Sequence, residues 1–337
     1  MTKKHFTRIL VPMLLLIIGG ILLLLPQRSP YIKEQGMVFG TVYHITWQPA
    51  TGQALADSIR QLFADVDASL SMFNRESLLS RINRNEAVRT DCLFETVFLK
   101  AQEVAAATGG RFDITVAPLV NLWGFGFQHY ETVSDSIIQR LLRTVGYRTV
   151  RLENHQLIKS HPETMLDMSA IAKGYACDAV AMLFERHQVA NYLIEIGGEV
   201  VAKGVNAAGE VWHIGINRPV DDATSATNII ERVVLLSSGG MATSGNYRNF
   251  YMRDGKKYAH TIDPLTGYPV QHSLLSATII ADNGMTADAY ATACMALGLE
   301  KSLALCRQTD NIEGFFIYDD CGELRMAYSD GFENCLQ

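Results

Sequence analysis

The hydrophobic positions of this chain switch repeatedly between a two-residue and a helical period. Residues 40–47 (GTVYHITW) alternate and are rich in β-branched and aromatic side chains, which predicts a strand. Leu55, Ile59, Leu62, Phe63 and Val66 then recur at helical spacing and predict an amphipathic helix. A second helix is expected over 94–108, stopped by Gly109-Gly110. Helical patterns return at 175–189, 286–297 and 301–307, and strand patterns occupy 191–196, 211–216, 229–236, 276–280 and 314–318. The two kinds of element mix without a strict strand–helix–strand rhythm, so the expected class is α+β or mixed α/β. No linker rich in Pro, Gly or Ser follows residue 31, so residues 31–337 are expected to form one folded unit.

Residues 9–26 (ILVPMLLLIIGGILLLLP) stand apart as a charge-free run preceded by Lys3, Lys4 and Arg8. An ordinary secretory apolar region is shorter, and this run just reaches bilayer-crossing length. No small-x-small cleavage site follows, and no cysteine precedes Cys92, so a lipoprotein acylation site is absent. The expectation is a signal anchor over residues 1–30, with cleavage as the alternative. Its basic end would stay in the cytoplasm, leaving residues 31–337 on the periplasmic side of the inner membrane.

Composition narrows the function. The chain is 48% hydrophobic with 9 prolines among 337 residues, enough apolar material for a packed core. Its formal charge is −6, from 29 basic against 35 acidic residues, without the basic stripe a nucleic-acid binder needs. Six cysteines without a CxxC or Cys/His cluster exclude a disulfide scaffold and a zinc site of the usual spacing. In an oxidising compartment Cys321 and Cys335 are near enough in sequence to pair, whereas Cys177 and Cys294 fall in helical patterns as small buried residues.

Candidate chemistry concentrates in five stretches: 108–127, 167–178, 195–204, 241–269 and 285–298. In the last, Asp288 and Thr292 stand at i and i+4, on one helix face. A carboxylate and a hydroxyl are hard oxygen ligands suited to Mg²⁺; taken alone, however, Asp288 reads more readily as an acid capping or solvating the helix start. The pairs Gly197-Gly198 and Gly239-Gly240, with Gly245 beyond Thr243 and Ser244, allow close backbone approach to an anion, although ordinary turns use the same residues. Lys173 would offset phosphate charge. His260, just before Ile262-Asp263-Pro264, is a candidate proton-transfer or phosphate-binding group. No GxGxxG, P-loop or Gly-x-Ser-x-Gly elbow occurs.

Taken in series, five segments resemble the FAD:protein FMN transferase (ApbE) family. They are TGGRFDIT (108–115) with PLVNLWGFG (118–126), DMSAIAKGY (167–175), IGGE (196–199), TSG (243–245) with HTIDP (260–264), and Ala287-Asp288 with Thr292. The resemblance implies a single ApbE-like, T-fold-related globular domain that binds FAD and Mg²⁺. It implies transfer of FMN to a threonine hydroxyl of a target protein, with release of AMP. By the same resemblance the metal is held by the Ala170 carbonyl, the Asp288 carboxylate and the Thr292 hydroxyl. Some members place a second acid just before that threonine; here the position is Ala291. Phe39, Phe73, Arg111, Phe112, Asp113, Asp167, Lys173 and Ile262 align with FAD-contacting positions, and Asp288, His260 and Lys173 with the reacting centre. The proton of the acceptor hydroxyl is left to a neighbouring carboxylate or to His260. The implied partner is an extracytoplasmic subunit of a membrane redox complex. FAD hydrolysis to FMN and AMP, or flavin carriage without reaction, are the competing functions.

Overall fold

The edge of the main sheet is a hairpin. Strands β1 (Ile32–Val38) and β2 (Thr41–Trp47) pair from Val38↔Thr41 to Ile32↔Trp47. Their two-residue turn, Phe39-Gly40, has positive φ at both positions (50° and 75°). That is the geometry a tight hairpin with the native strand twist requires, and a phenylalanine adopts it at a conformational cost. On β2, Tyr43, Ile45 and Trp47 point into the core while their neighbours face out.

The computed structural model describes residues 30–50, 54–126, 133–219, 229–246, 250–253 and 256–337. Its further strands are β3 (Val150–Glu153), β4 (Gln156–Lys159), β5 (Tyr192–Ile196), β6 (Glu199–Lys203), β7 (Trp212–Asn217), β8 (Ile230–Leu236), β9 (Ser238–Gly245), β10 (Phe250–Arg253), β11 (Lys256–Ala259), β12 (Leu274–Ala281), β13 (Ile312–Asp320) and β14 (Glu323–Tyr328). Eight of them form one antiparallel sheet in the order β1-β2-β5-β6-β9-β12-β13-β14. The helices among the described residues are α1 (Ala56–Leu70), α2 (Leu78–Asn83), α3 (Cys92–Ala107), α4 (Ala117–Leu122), α5 (Asp135–Leu142), α6 (Ala172–Arg186), α7 (Gly284–Leu297) and α8 (Leu299–Gln308).

One face of the sheet packs against α1, α3, α6 and α7, burying Ile45, Ile59, Phe94, Phe98, Phe184 and Ile194 in a continuous core. The other face, carrying Val200, Met241, Phe315 and Ile317, is covered by the β7–β8 hairpin through Trp212, Ile214 and Val234, and by Phe332. Leu119, Trp123, Ile138 and Ile262 form a satellite cluster around α4 and α5. The α+β class and the single folded unit are thus as expected.

Several local expectations are corrected. Gly239-Gly240 is no phosphate-cradling turn: it lies inside β9, between β6 and β12. A Cβ on Gly240 would sit 2.3 Å from the Asn283 carbonyl carbon, so this glycine lets the start of α7 approach the sheet. Helix α6 begins at Ala172 rather than Tyr175, which puts Lys173 and Gly174 in its first turn. Cys321 and Cys335 are free thiols, not a disulfide. Among the described residues no helix is long and apolar enough to cross a membrane; the 9–26 run lies outside them.

Candidate active site

Two helix starts meet at glycines. A Cβ on Gly174 would lie 2.3 Å from the Gly284 carbonyl oxygen, and one on Gly284 would lie 2.7 Å from that of Gly174. Only at such positions can two helix backbones come this close. The contact brings Lys173 beside Asp288: the Gly174 N–H donates to Asp288 Oδ2 at 3.0 Å, and Lys173 Nζ donates to Glu199 Oε1 at 2.7 Å. Glu199 opens β6, directly after the β5–β6 turn, which bends through positive φ at Gly197 and Gly198. Thr292, one turn beyond Asp288, is 3.2 Å from Ser244 Oγ on β9.

Burial sets the electrostatics. Asp288 is 3% exposed, and that desolvation raises its carboxyl above the usual carboxylate range despite Lys173 and the Gly174 N–H. Burial likewise pushes Glu199 up to about 7, against the pull of Lys173. Its Oε2 is buried without a hydrogen-bond partner among the described residues. Burial works against the Lys173 ammonium, but Asp288 and Glu199 outweigh it and hold the lysine above its ordinary value. The site therefore carries two buried carboxylates around one cation, and is short of positive charge.

These groups open onto a cavity of about 510 Å³ that gathers nearly all the residues singled out in the sequence. Phe73, Arg111, Phe112, Asp113, Asp167, Ala170, Lys173, His260, Ile262, Asp288 and Thr292 all line it. Phe39 does not; it lines an adjoining cavity of about 630 Å³ that shares Met72, Phe73, Ser169 and Lys173. The His260 ring meets Phe125 edge-on at 6.3 Å. Arg111 is paired with Asp263 in the turn after His260, tying the two walls together. Asp113 spends one oxygen on its own loop, accepting from Thr115 N at 2.8 Å and Thr115 Oγ1 at 2.6 Å, and the other on Tyr147 N at 2.6 Å, beyond α5. Asp167, raised by burial, accepts from Ser169 N at 2.8 Å. Phe73 is 70% exposed, an aromatic ring held at the cavity mouth without cover.

The implied magnesium site fits these residues. Among the described residues no group of three or more His, Cys, Asp or Glu could hold a metal. The inferred set needs none: Ala170, whose carbonyl would serve, Asp288 with its carboxylate and Thr292 with its hydroxyl line the same cavity, and all three groups are hard oxygen donors. A buried carboxylate held above its normal pKa is one that a cation would relieve. Sequence reasoning gave Glu199 no role, although an acid following Gly-Gly at a strand end was visible. It also gave none to Asp178, an acid inside the apolar stretch of α6.

The antiparallel sheet, the helix pair that meets at glycines and the cleft with its acidic and basic floor belong to one folded unit, a single-domain α+β protein with one candidate active site among the described residues. The ApbE family model matches residues 39–316, and the chain belongs to that family. It is 36% identical over 318 residues to the FAD:protein FMN transferase of Haemophilus influenzae, covering 90% of this chain and 91% of that protein. It is 34% identical over 296 residues to the enzyme of that name from Escherichia coli K12, covering 84% and 82%. The flavin transferase ApbE of Vibrio cholerae superposes with a TM-score of 0.82 at 32% identity, covering 91% of this chain and 100% of that one. The apo flavinyl transferase ApbE of Pseudomonas stutzeri gives 0.81 at 29% identity, covering 92% and 98%.

Proposed function

We propose that this chain is a Mg²⁺-dependent FAD:protein FMN transferase. The observation that carries the reading is the convergence of Lys173, Asp288, Thr292 and Ala170, with Arg111 and His260, on one cavity. Ala170 O, Asp288 and Thr292 Oγ1 would hold the metal. When bound, Mg²⁺ offsets charge on the diphosphate oxygens, a stabilisation of several kcal/mol. Lys173, fixed by Glu199, adds a second positive charge beside them. Phe73 and Phe39 offer aromatic faces to the isoalloxazine. The acceptor threonine Oγ attacks the phosphorus of the FMN half, the bond from that phosphorus to the bridging oxygen breaks, and AMP leaves with that oxygen. The hydroxyl proton passes to a ring nitrogen of His260, the imidazole on the wall. Asp288 is committed to the cation and Glu199 to Lys173.

The acceptor is an extracytoplasmic protein, a subunit of a membrane redox complex, and residues 1–30 anchor the enzyme beside it in the inner membrane. The experiment is direct: incubate the chain with FAD, Mg²⁺ and a candidate acceptor domain, then weigh the acceptor. A mass gain of one FMN with equimolar AMP supports transfer. FMN and AMP free in solution, with no mass gain on any acceptor tried, would make the enzyme a diphosphatase.

A further inference from the structure

Asp178 lies in the 167–178 stretch but outside the candidate active-site cavity. From α6 its Oδ1 accepts the Gly284 N–H at 2.7 Å and its Oδ2 accepts the Met285 N–H at 2.8 Å. These are first-turn donors of α7, which have no acceptor within their own helix. The helix's own cap is separate: Asn283 Oδ1 accepts from Thr286 N at 2.8 Å.

The pattern is reciprocal. Gly174 and Asp178 are i and i+4 on α6, and Gly284 and Asp288 are i and i+4 on α7, so each pair shares a helix face. Asp178 grips Gly284, and Asp288 accepts from Gly174. Between the two ties the Gly174 and Gly284 backbones touch. Two polar clamps on either side of a steric stop oppose any sliding of α7 along α6. A slip of one residue would move Asp288 by about 1.5 Å. Metal–oxygen distances tolerate only about 0.2 Å.

We infer that Asp178 is a positioning residue: by clamping the first turn of α7 it fixes the axial register of Asp288 and Thr292, and so sets the affinity of the site for Mg²⁺. The inference rests on the proposed metal site. It differs from a plain stabilising cap in what it predicts for Asn283, which caps the same helix without reaching α6.

The test uses the full chain as wild type, D178N, D178A and N283A. Each is measured for melting temperature without metal, for the melting shift on adding Mg²⁺, for FAD affinity in chelator, and for the Mg²⁺ concentration that half-saturates transfer. Asn at 178 keeps one acceptor oxygen but turns a donor toward the second N–H. Both Asp178 variants should need roughly tenfold more Mg²⁺ or beyond, the scale for losing a contact that supports metal ligands. N283A should lower the melting temperature while its Mg²⁺ requirement stays within about twofold of wild type. Unchanged FAD affinity in chelator would place the D178N defect at the cation. If D178A does not fold, D178N carries the test. A D178N protein that melts earlier yet needs no more Mg²⁺ than wild type would overturn the inference alone. A wild-type protein indifferent to Mg²⁺ in both melting and transfer would overturn the metal reading and this inference together.

Discussion

The floor and the mouth of the candidate active-site cavity are built on opposite principles. At the floor, Asp288 and Glu199 are 3% and 6% exposed, Lys173 is paired, and the backbone beneath them is locked by glycines that admit no side chain. At the mouth, Phe73 is 70% exposed, and Phe39 belongs to a neighbouring hollow. Groups that must act on a phosphorus need fixed geometry before substrate arrives, because their electrostatic effect depends on not reorganising during reaction. Groups that bind a flat ring need area, and a ring left bare gains most when the ligand covers it. The floor is preorganised; the mouth is waiting. Substitutions at the floor should therefore strike rate, and those at the mouth should strike affinity.

The largest effect belongs to Asp288. It is the only carboxylate side chain in the inferred metal set, and Asp288→Ala leaves a carbonyl and a hydroxyl to retain a strongly hydrated cation. Transfer should fall by orders of magnitude, while flavin titration still finds FAD bound through contacts that do not depend on the metal. Near-normal FMN incorporation at limiting Mg²⁺ would move the metal elsewhere. Gly174→Ala comes next. Its methyl would meet Gly284 O at 2.3 Å and Asp288 Cβ at 2.8 Å, so one helix start must shift. Overpacking of this kind costs about 1–3 kcal/mol. Denaturant unfolding should register that loss, with a raised Mg²⁺ requirement beside it. A variant as stable and as active as wild type would show that the helix contact is looser than described.

Much of the floor was legible in the sequence because its signals are local. Asp288 and Thr292 share a face through simple i,i+4 spacing, and Lys173 is flagged by the glycine beside it. Glu199 and Asp178 were not assigned, because their roles exist only across elements: one meets a lysine 26 positions earlier, the other a helix start more than 100 positions away. The same distinction runs through the fold. β2 alternates cleanly and was readable. β1 (IKEQGMV) was not, since an edge strand can carry charge and its Gly36 reads as a breaker; a Cβ there would meet the Tyr43 ring at 2.8 Å. β9 (SGGMATSG) looks like a turn until two neighbouring strands claim its backbone.

At the mouth the effects are smaller. Phe73→Ala removes an exposed ring whose stacking is worth about 0.5–1.5 kcal/mol beyond area. FAD affinity should weaken by about tenfold with kcat nearly kept; unchanged affinity would take Phe73 out of the flavin site. Smaller again is a pH effect at the floor. Burial raises Glu199 to about 7. A raised carboxyl binds its proton more tightly in the folded state, so its stabilisation is complete below about pH 4 and is lost as pH climbs through about 7. Measured without metal, the melting temperature of E199Q should therefore gain on wild type as pH rises from 5 to 8, by a few degrees. A gap that stays constant or shrinks would mean that Glu199 does not titrate in this range.

The smallest expected effect is none, and it tests whether floor and mouth are the whole machine. Among the described residues, those lining the two cavities fall between Phe39 and Ala296. The first described side chain with a structural task is Tyr31, whose hydroxyl donates to Val205 O at 2.5 Å and whose ring meets Trp212 edge-on at 6.1 Å. Those contacts close the far face of the sheet, away from the cavities. Deleting residues 1–29 should thus leave melting temperature, FAD affinity and transfer to a soluble acceptor unchanged. Extending the deletion through residue 33 removes Tyr31 and the start of β1. It uncovers part of Trp212 and shortens the pairing of Ile32 with Trp47, and the melting temperature should drop for that protein alone. If the shorter deletion already abolished FAD binding, residues before Pro30 would be part of the site, and the cavity described between Phe39 and Ala296 would be incomplete.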